Sequence, residues 1–258
     1  MPRLASSHTL ALLAAALLTG AAEPRPAPLR HTESAAALVE PAVRRVAAGV
    51  RRAAGTPLSS EAAVEAMSSS PGDVRARLSS GANGTYIDEM LAGQDSSLAR
   101  WPSRPETPLR VWVEPAPGLP GWDPAFAGYV REAFREWEAL GIPVHFDFAT
   151  DSAGADVHVG WVEQFRESIS GKTVWARNDS WWIVDGNITI ALRHNSGGAL
   201  DRPAIKAIAL HEVGHLLGLD HTRDPANIMA PRVRVRDLSA ADRATMRLLY
   251  ELPAGRVR

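Results

Sequence analysis

The segment His211-Glu212-Val213-Gly214-His215-Leu216-Leu217-Gly218-Leu219-Asp220-His221 governs how the rest of the chain is read. On a helix, His211 and His215 lie one turn apart on one face, about 6 Å along the axis, so two imidazoles can reach one ion. Glu212 is rotated by about 100° from His211, which suits a carboxylate that works beside a metal without binding it. A continuous helix would carry His221 about 15 Å beyond His211, out of reach. Gly218 removes that obstacle, because glycine can take a left-handed conformation, end the helix and let the chain turn back. Three neutral imidazoles with a fourth position open are the arrangement of catalytic rather than structural zinc. His211, His215 and His221 are therefore the expected metal ligands, Zn2+ the expected metal, and Glu212 the expected catalytic base.

Upstream, Pro203 to Leu217 is rich in Ile, Ala and Leu and reads as the helix that carries the first two histidines. Downstream, Ser239 with Asp242 three residues later marks a second helix start of capping-box type, with Met246, Leu248, Leu249 and Leu252 available to pack. Nearer the N-terminus, Leu109 to Glu114 alternates apolar and polar residues as a half-buried strand does. Asp123 to Leu140 reads as a helix capped by Asp123, with Pro124 at its first position and Phe126, Val130, Phe134 and Trp137 as its apolar stripe. Val144 to Phe148 and Val157 to Trp161 alternate again, and Trp181 to Leu192 reads as a further strand with Ile188, Ile190 and Leu192 on one face. The expected order is strand, helix, three strands, helix, loop, helix.

The pattern HExxHxxGxxH, followed by the turn Asn227-Ile228-Met229-Ala230-Pro231, resembles the metzincin signature. His221-Thr222 and the run from Asp224 to Pro231 are similar to the matrixin branch. The resemblance is strong over 211–231 and extends over about 108–250 through element order, Ala155-Asp156-Val157 and the closing Leu248-Leu249-Tyr250. It implies an α+β catalytic domain with a twisted mixed sheet and three helices. It also implies endopeptidase activity through a Glu-activated, zinc-bound water, with a protein or peptide substrate lying along an edge strand. That edge would be the strand ending near Leu192, and Met229 would lie beneath the metal as an apolar floor. Position 231 is Pro, whereas astacins and serralysins place a tyrosine ligand there, which favours the matrixin branch.

There are departures from the animal matrixins. The chain has no cysteine, so disulfides, thiolate ligands and a thiol nucleophile are excluded, and with them the propeptide cysteine that keeps those enzymes latent. Residues 171–185 contain no histidine, where animal matrixins have a loop for structural zinc and calcium. His145, His158 and His194 lack paired ligand spacing and read as ordinary core or surface histidines. A carboxylate could replace the missing thiol. Asp88, Glu89 and Asp95 are the candidates, on a stretch that could dock in the cleft through Ile87, Met90 and Leu91, or simply pack behind the domain.

The 258 residues suffice for one sizeable domain plus extra segments, and a net charge of −1 gives no pull toward nucleic acid or anionic lipid. Arg3, the apolar run Leu10 to Leu18 and the small residues Gly20-Ala21-Ala22 read as a signal peptide over 1–22, too short to span a bilayer. The expected location is secreted or periplasmic, and the expected state a monomer with no stable membrane span. Residues 23–104 are rich in Ala, Ser, Pro and Arg, with a helical stretch over Glu40 to Ala54 and loop signals at Ser68 to Gly72 and Ser79 to Gly81. They read as an N-terminal helical or partly disordered region, a candidate propeptide, preceding a catalytic domain over 105–258.

Two rivals remain open at this point: a zinc amidase acting on cell-wall peptides, and a non-catalytic binding module on the same fold. Glu212 would be lost in the latter, and it is present. Arg232, Arg234 and Arg236 alternate with Val233 and Val235, so in an extended segment the guanidinium groups share one face. That face is either a charged edge or the border of a substrate cleft that favours acidic residues.

Overall fold

The computed structural model describes residues 70–257; the leader expected over 1–22 and the helix expected at Glu40 to Ala54 lie outside them. The elements run α1 (Pro71–Gly81), α2 (Ile87–Gly93), β1 (Ser97–Leu98), β2 (Arg104–Val113), α3 (Pro124–Glu138), β3 (Val144–Ala149), β4 (Val157–Val162), β5 (Gly171–Arg177), β6 (Ile183–Ala191), α4 (Arg202–Leu216), α5 (Ala240–Glu251) and β7 (Gly255–Arg256).

Five strands form one mixed sheet in the order β3-β2-β4-β6-β5, with β5 antiparallel and the others parallel; β1 and β7 pair separately. In β4, Val157, Val159 and Trp161 are buried while the residues between them are half-buried, the period of two that puts one face on the core. The stripe of α3 is buried as its spacing predicts. Helix α4 is buried along most of its circumference, so it runs through the interior, between α3 and the sheet. The Trp137 indole on α3 donates to the Leu210 carbonyl of α4 at 2.9 Å. With α3, α4 and α5 accompanying the sheet, this is the expected α+β architecture.

Two expectations are corrected. The strand ending near Leu192 is not an edge: β6 lies between β4 and β5, and the edge strand on that side is β5, which the sequence pattern did not mark. Its residues Gly171-Lys172-Thr173-Val174-Trp175-Ala176-Arg177 are all half-buried or exposed, so no apolar alternation reveals it. Trp181, expected to start the next strand, instead has φ +66° in the turn joining β5 to β6.

The loop signal at Ser68 to Gly72 is, over its described residues Ser70 to Gly72, a helix start. Ser70 caps α1, Asp73 completes a capping box and Pro71 takes the first position, where a missing N–H costs nothing. Helices α1 and α2 place Val74, Leu78, Ile87, Met90 and Leu91 in the same core as the sheet. Arg100 is buried, its Nε donating to the Leu252 carbonyl at 2.9 Å and its guanidinium stacked against Trp182 and Tyr250. Residues 86–101 thus pack into the core that residues 105–257 share.

Candidate metal centre

Helix α4 starts at the Asp201 cap, whose carboxylate accepts from Ala204 N at 2.8 Å. It ends in a turn with two backward bonds: Gly218 N donates to the His215 carbonyl and Leu219 N to the Gly214 carbonyl, both at 3.0 Å. Gly218 has φ +106°, and a side chain there would strike the Ala99 carbonyl oxygen, so this position demands glycine twice over. Trp101 and Tyr250 close the helix end by donating to the Leu216 carbonyl at 2.9 Å and the Leu217 carbonyl at 3.2 Å.

The turn returns His221 to the helix face. The Nε2 atoms of His211, His215 and His221 form a triangle with sides of 3.1, 3.1 and 3.3 Å. His211 Nδ1 is 2.7 Å from the Ile228 carbonyl and His215 Nδ1 2.8 Å from the Leu219 carbonyl. A carbonyl can only accept, so both rings carry their proton on Nδ1 and present a bare Nε2 inward. Burial pushes the His211 pKa down to about 4 and that of His215 well below the usual value, keeping both rings neutral.

Glu212 is buried on the adjoining face. Burial pushes its carboxyl up to about 7, opposed by the Thr173 hydroxyl, which lies 2.6 Å from Oε2. Strand β5 approaches this closely because residue 171 is glycine; a Cβ there would collide with the Glu212 carboxylate. Met229 is fully buried, with its sulfur against Gly214 on the helix bearing the histidines. Asp242 of α5 accepts from Ile228 N at 2.9 Å and from Ser239 N at 2.8 Å, so one carboxylate both caps α5 and holds the turn that orients His211.

A sequence model of the Matrixin family matches residues 123–251, half of the chain. The chain belongs to the matrixin family. It is 30% identical over 140 residues to Metalloendoproteinase 1-MMP of Arabidopsis thaliana, covering 46% of this chain and 36% of that one. Over 76 residues it is 36% identical to Metalloendoproteinase 1 of Glycine max, covering 28% and 23% respectively. The matches thus span about a third or less of these relatives' own length.

Zinc, the metal of matrixins, fits the donor set. Tetrahedral zinc with Zn–N of about 2.0–2.1 Å separates its nitrogens by about 3.3–3.4 Å, close to the sides of this triangle. Among the described residues, the three histidines of this matrixin are the group able to share an ion. The other histidines stand apart from it. His145 Nδ1 meets Glu138 at 3.0 Å, and His158 Nε2 meets the Ser152 carbonyl at 3.1 Å. His194 is exposed on the cleft wall, 3.4 Å from the Ser170 hydroxyl.

The carboxylate stopper considered for Asp88, Glu89 and Asp95 is not present. Ile87, Met90 and Leu91 are buried in the core, with α2 packed against α5 and β1, and no residue of 86–95 lines the cleft. Glu89 instead accepts from Arg223 N at 2.9 Å, and Gln94 donates to Asp220 at 3.2 Å, bracing the His221 loop from outside. Sequence reasoning missed Thr173, Gly171 and the second role of Asp242. Of these, only Asp242 carried a local signal, its capping-box spacing from Ser239.

Proposed function

We propose that this chain is an exported zinc-dependent endopeptidase in which His211, His215 and His221 hold the metal and Glu212 is the general base. The observation that carries this reading is the Nε2 triangle on a helix whose neighbouring residue is a buried carboxylate at a cleft. Zinc would supply a Lewis acid that polarises the scissile carbonyl and makes a coordinated water acidic near neutral pH. Glu212 withdraws a proton from the attacking water and returns it to the departing amine. Its raised pKa suits both roles, since a group poised near neutrality can accept and release a proton in one cycle. With no cysteine in the chain and Glu212 able to act on water directly, no acyl-enzyme is required.

The substrate lies extended beside β5, whose outer backbone groups have no partner strand in the sheet. Residues 1–22 serve as the export leader and residues 23–104 as the region preceding the catalytic domain of residues 105–258, with 86–101 packed into that domain's core; the protein works outside the cytoplasm, secreted or periplasmic, as a monomer. No helix among the described residues is long and apolar enough to cross a membrane. The test is casein digestion by the purified protein, with and without a chelator, beside Glu212→Ala. Chelator-sensitive digestion that is lost in the variant is expected; digestion indifferent to both overturns the reading, and release of cell-wall peptides without casein cleavage transfers it to an amidase.

A further inference from the structure

The cleft beside the three histidines encloses about 770 Å³. Its floor is apolar, supplied by Leu200, Ala204, Ala207 and Ile208 together with Val233 and Val235. Its rim is of one sign. Lys172 of β5 and Arg232, Arg234 and Arg236 of the segment after Met229 all line it, while Glu212 is the one carboxylate among the described lining residues. The chain as a whole is nearly neutral, so this excess of positive charge is local.

The alternation expected for residues 232–236 is present: Val233 and Val235 are half-buried against the core, and the three arginines are exposed. Among the described residues, none of the three arginines, nor Lys172, takes part in an ion pair. Charge on an exposed strand edge is ordinarily a guard against unwanted strand pairing. That explanation does not apply, because residues 231–236 belong to no strand. Unpaired guanidinium groups along one wall of a cleft present planar donor pairs that match carboxylates, and apolar walls strengthen their field.

From this we infer that the site selects acidic peptides: an apolar side chain enters the floor, and Asp or Glu on neighbouring residues meets Arg232, Arg234 and Arg236. The inference names a substrate class for the proposed peptidase site and rests on that reading for cleavage, but not for binding.

The experiment uses two fluorescent peptides of equal length with one central apolar residue, flanked by Glu in one and by Gln in the other. Binding to the full-length, zinc-loaded Glu212→Ala protein is followed by anisotropy, and cleavage by the unsubstituted protein is followed in parallel. The Glu peptide is expected to bind about tenfold more tightly in dilute salt, about threefold for each exposed pair with some loss to mobility. The preference should shrink toward unity at about 0.5 M salt. It should vanish in the triple variant Arg232→Gln, Arg234→Gln, Arg236→Gln, and invert when all three are changed to Glu. Equal binding of the two peptides, including no binding of either, or a preference that survives the triple substitution overturns the inference. Glu-selective binding without cleavage of any peptide leaves it standing and overturns the peptidase reading instead.

Discussion

The Thr173 hydroxyl of β5 lies 2.6 Å from the Glu212 carboxylate and 2.9 Å from the Glu212 carbonyl, tying the edge strand to the helix beside the histidines. The bond favours the ionised carboxylate and so opposes the upward push of burial. In Thr173→Val that opposition is gone and the carboxyl pKa moves up. A base must be unprotonated to act, so the acid limb of kcat/KM should move to higher pH, with a smaller loss at alkaline pH. Thr173→Ser should restore the parent profile. A uniform loss across all pH values would mean that Thr173 only supports the fold.

His221→Ala should lower zinc content and remove activity, because the metal would keep only two protein nitrogens. His158→Ala and His194→Ala should retain the metal, since neither side chain belongs to the triangle. Zinc stoichiometry by atomic absorption separates these cases, and equal loss in all three variants would refute the three-histidine site.

Gly218→Ala should destabilise the protein by about 2 kcal/mol or more. A left-handed residue with a Cβ costs about 1–2 kcal/mol, and here the added carbon also meets the Ala99 carbonyl. Denaturant unfolding measures the loss. Zinc affinity should fall with it, because the same turn places His221.

A chain beginning at Arg104 should fold poorly compared with one beginning at Ser70. Removing the segment deletes Trp101, whose indole closes the helix carrying the histidines, and Arg100, which bridges Trp182 and Tyr250. Loss of a fully buried tryptophan alone costs about 3–5 kcal/mol. Equal midpoints in thermal unfolding of the two chains would show that the segment is dispensable.

The convergence of the three histidines was legible because its geometry is written within eleven consecutive residues. Helical spacing sets His211 and His215 on one face, and a single glycine reverses the chain. What surrounds it was not, because those contacts join distant positions. Thr173 and Gly171 meet Glu212 across about forty residues, and no residue type at 171 or 173 announces the partner. The edge strand β5 was hidden for a related reason: none of its residues is fully buried, so it need not show apolar alternation. The helices with a one-sided core contact, such as α3, were plain from their stripe. In the sequence alone, residues 86–101 read as part of a region preceding the domain, with Ile87, Met90 and Leu91 either docking in the cleft or packing behind it; their local spacing does not choose between the two, because the core they enter is built by later elements.

The link from Asp242 through Ile228 to His211 bears on the order of events in biosynthesis. A ribosome delivers all three histidines before α5 has been made. Until α5 packs, the turn carrying the Ile228 carbonyl lacks its anchor, and the His211 ring is not held in the orientation that faces its partners. A chain that ended before Asp242 would carry the full HExxHxxGxxH motif without the carboxylate that anchors the turn behind His211.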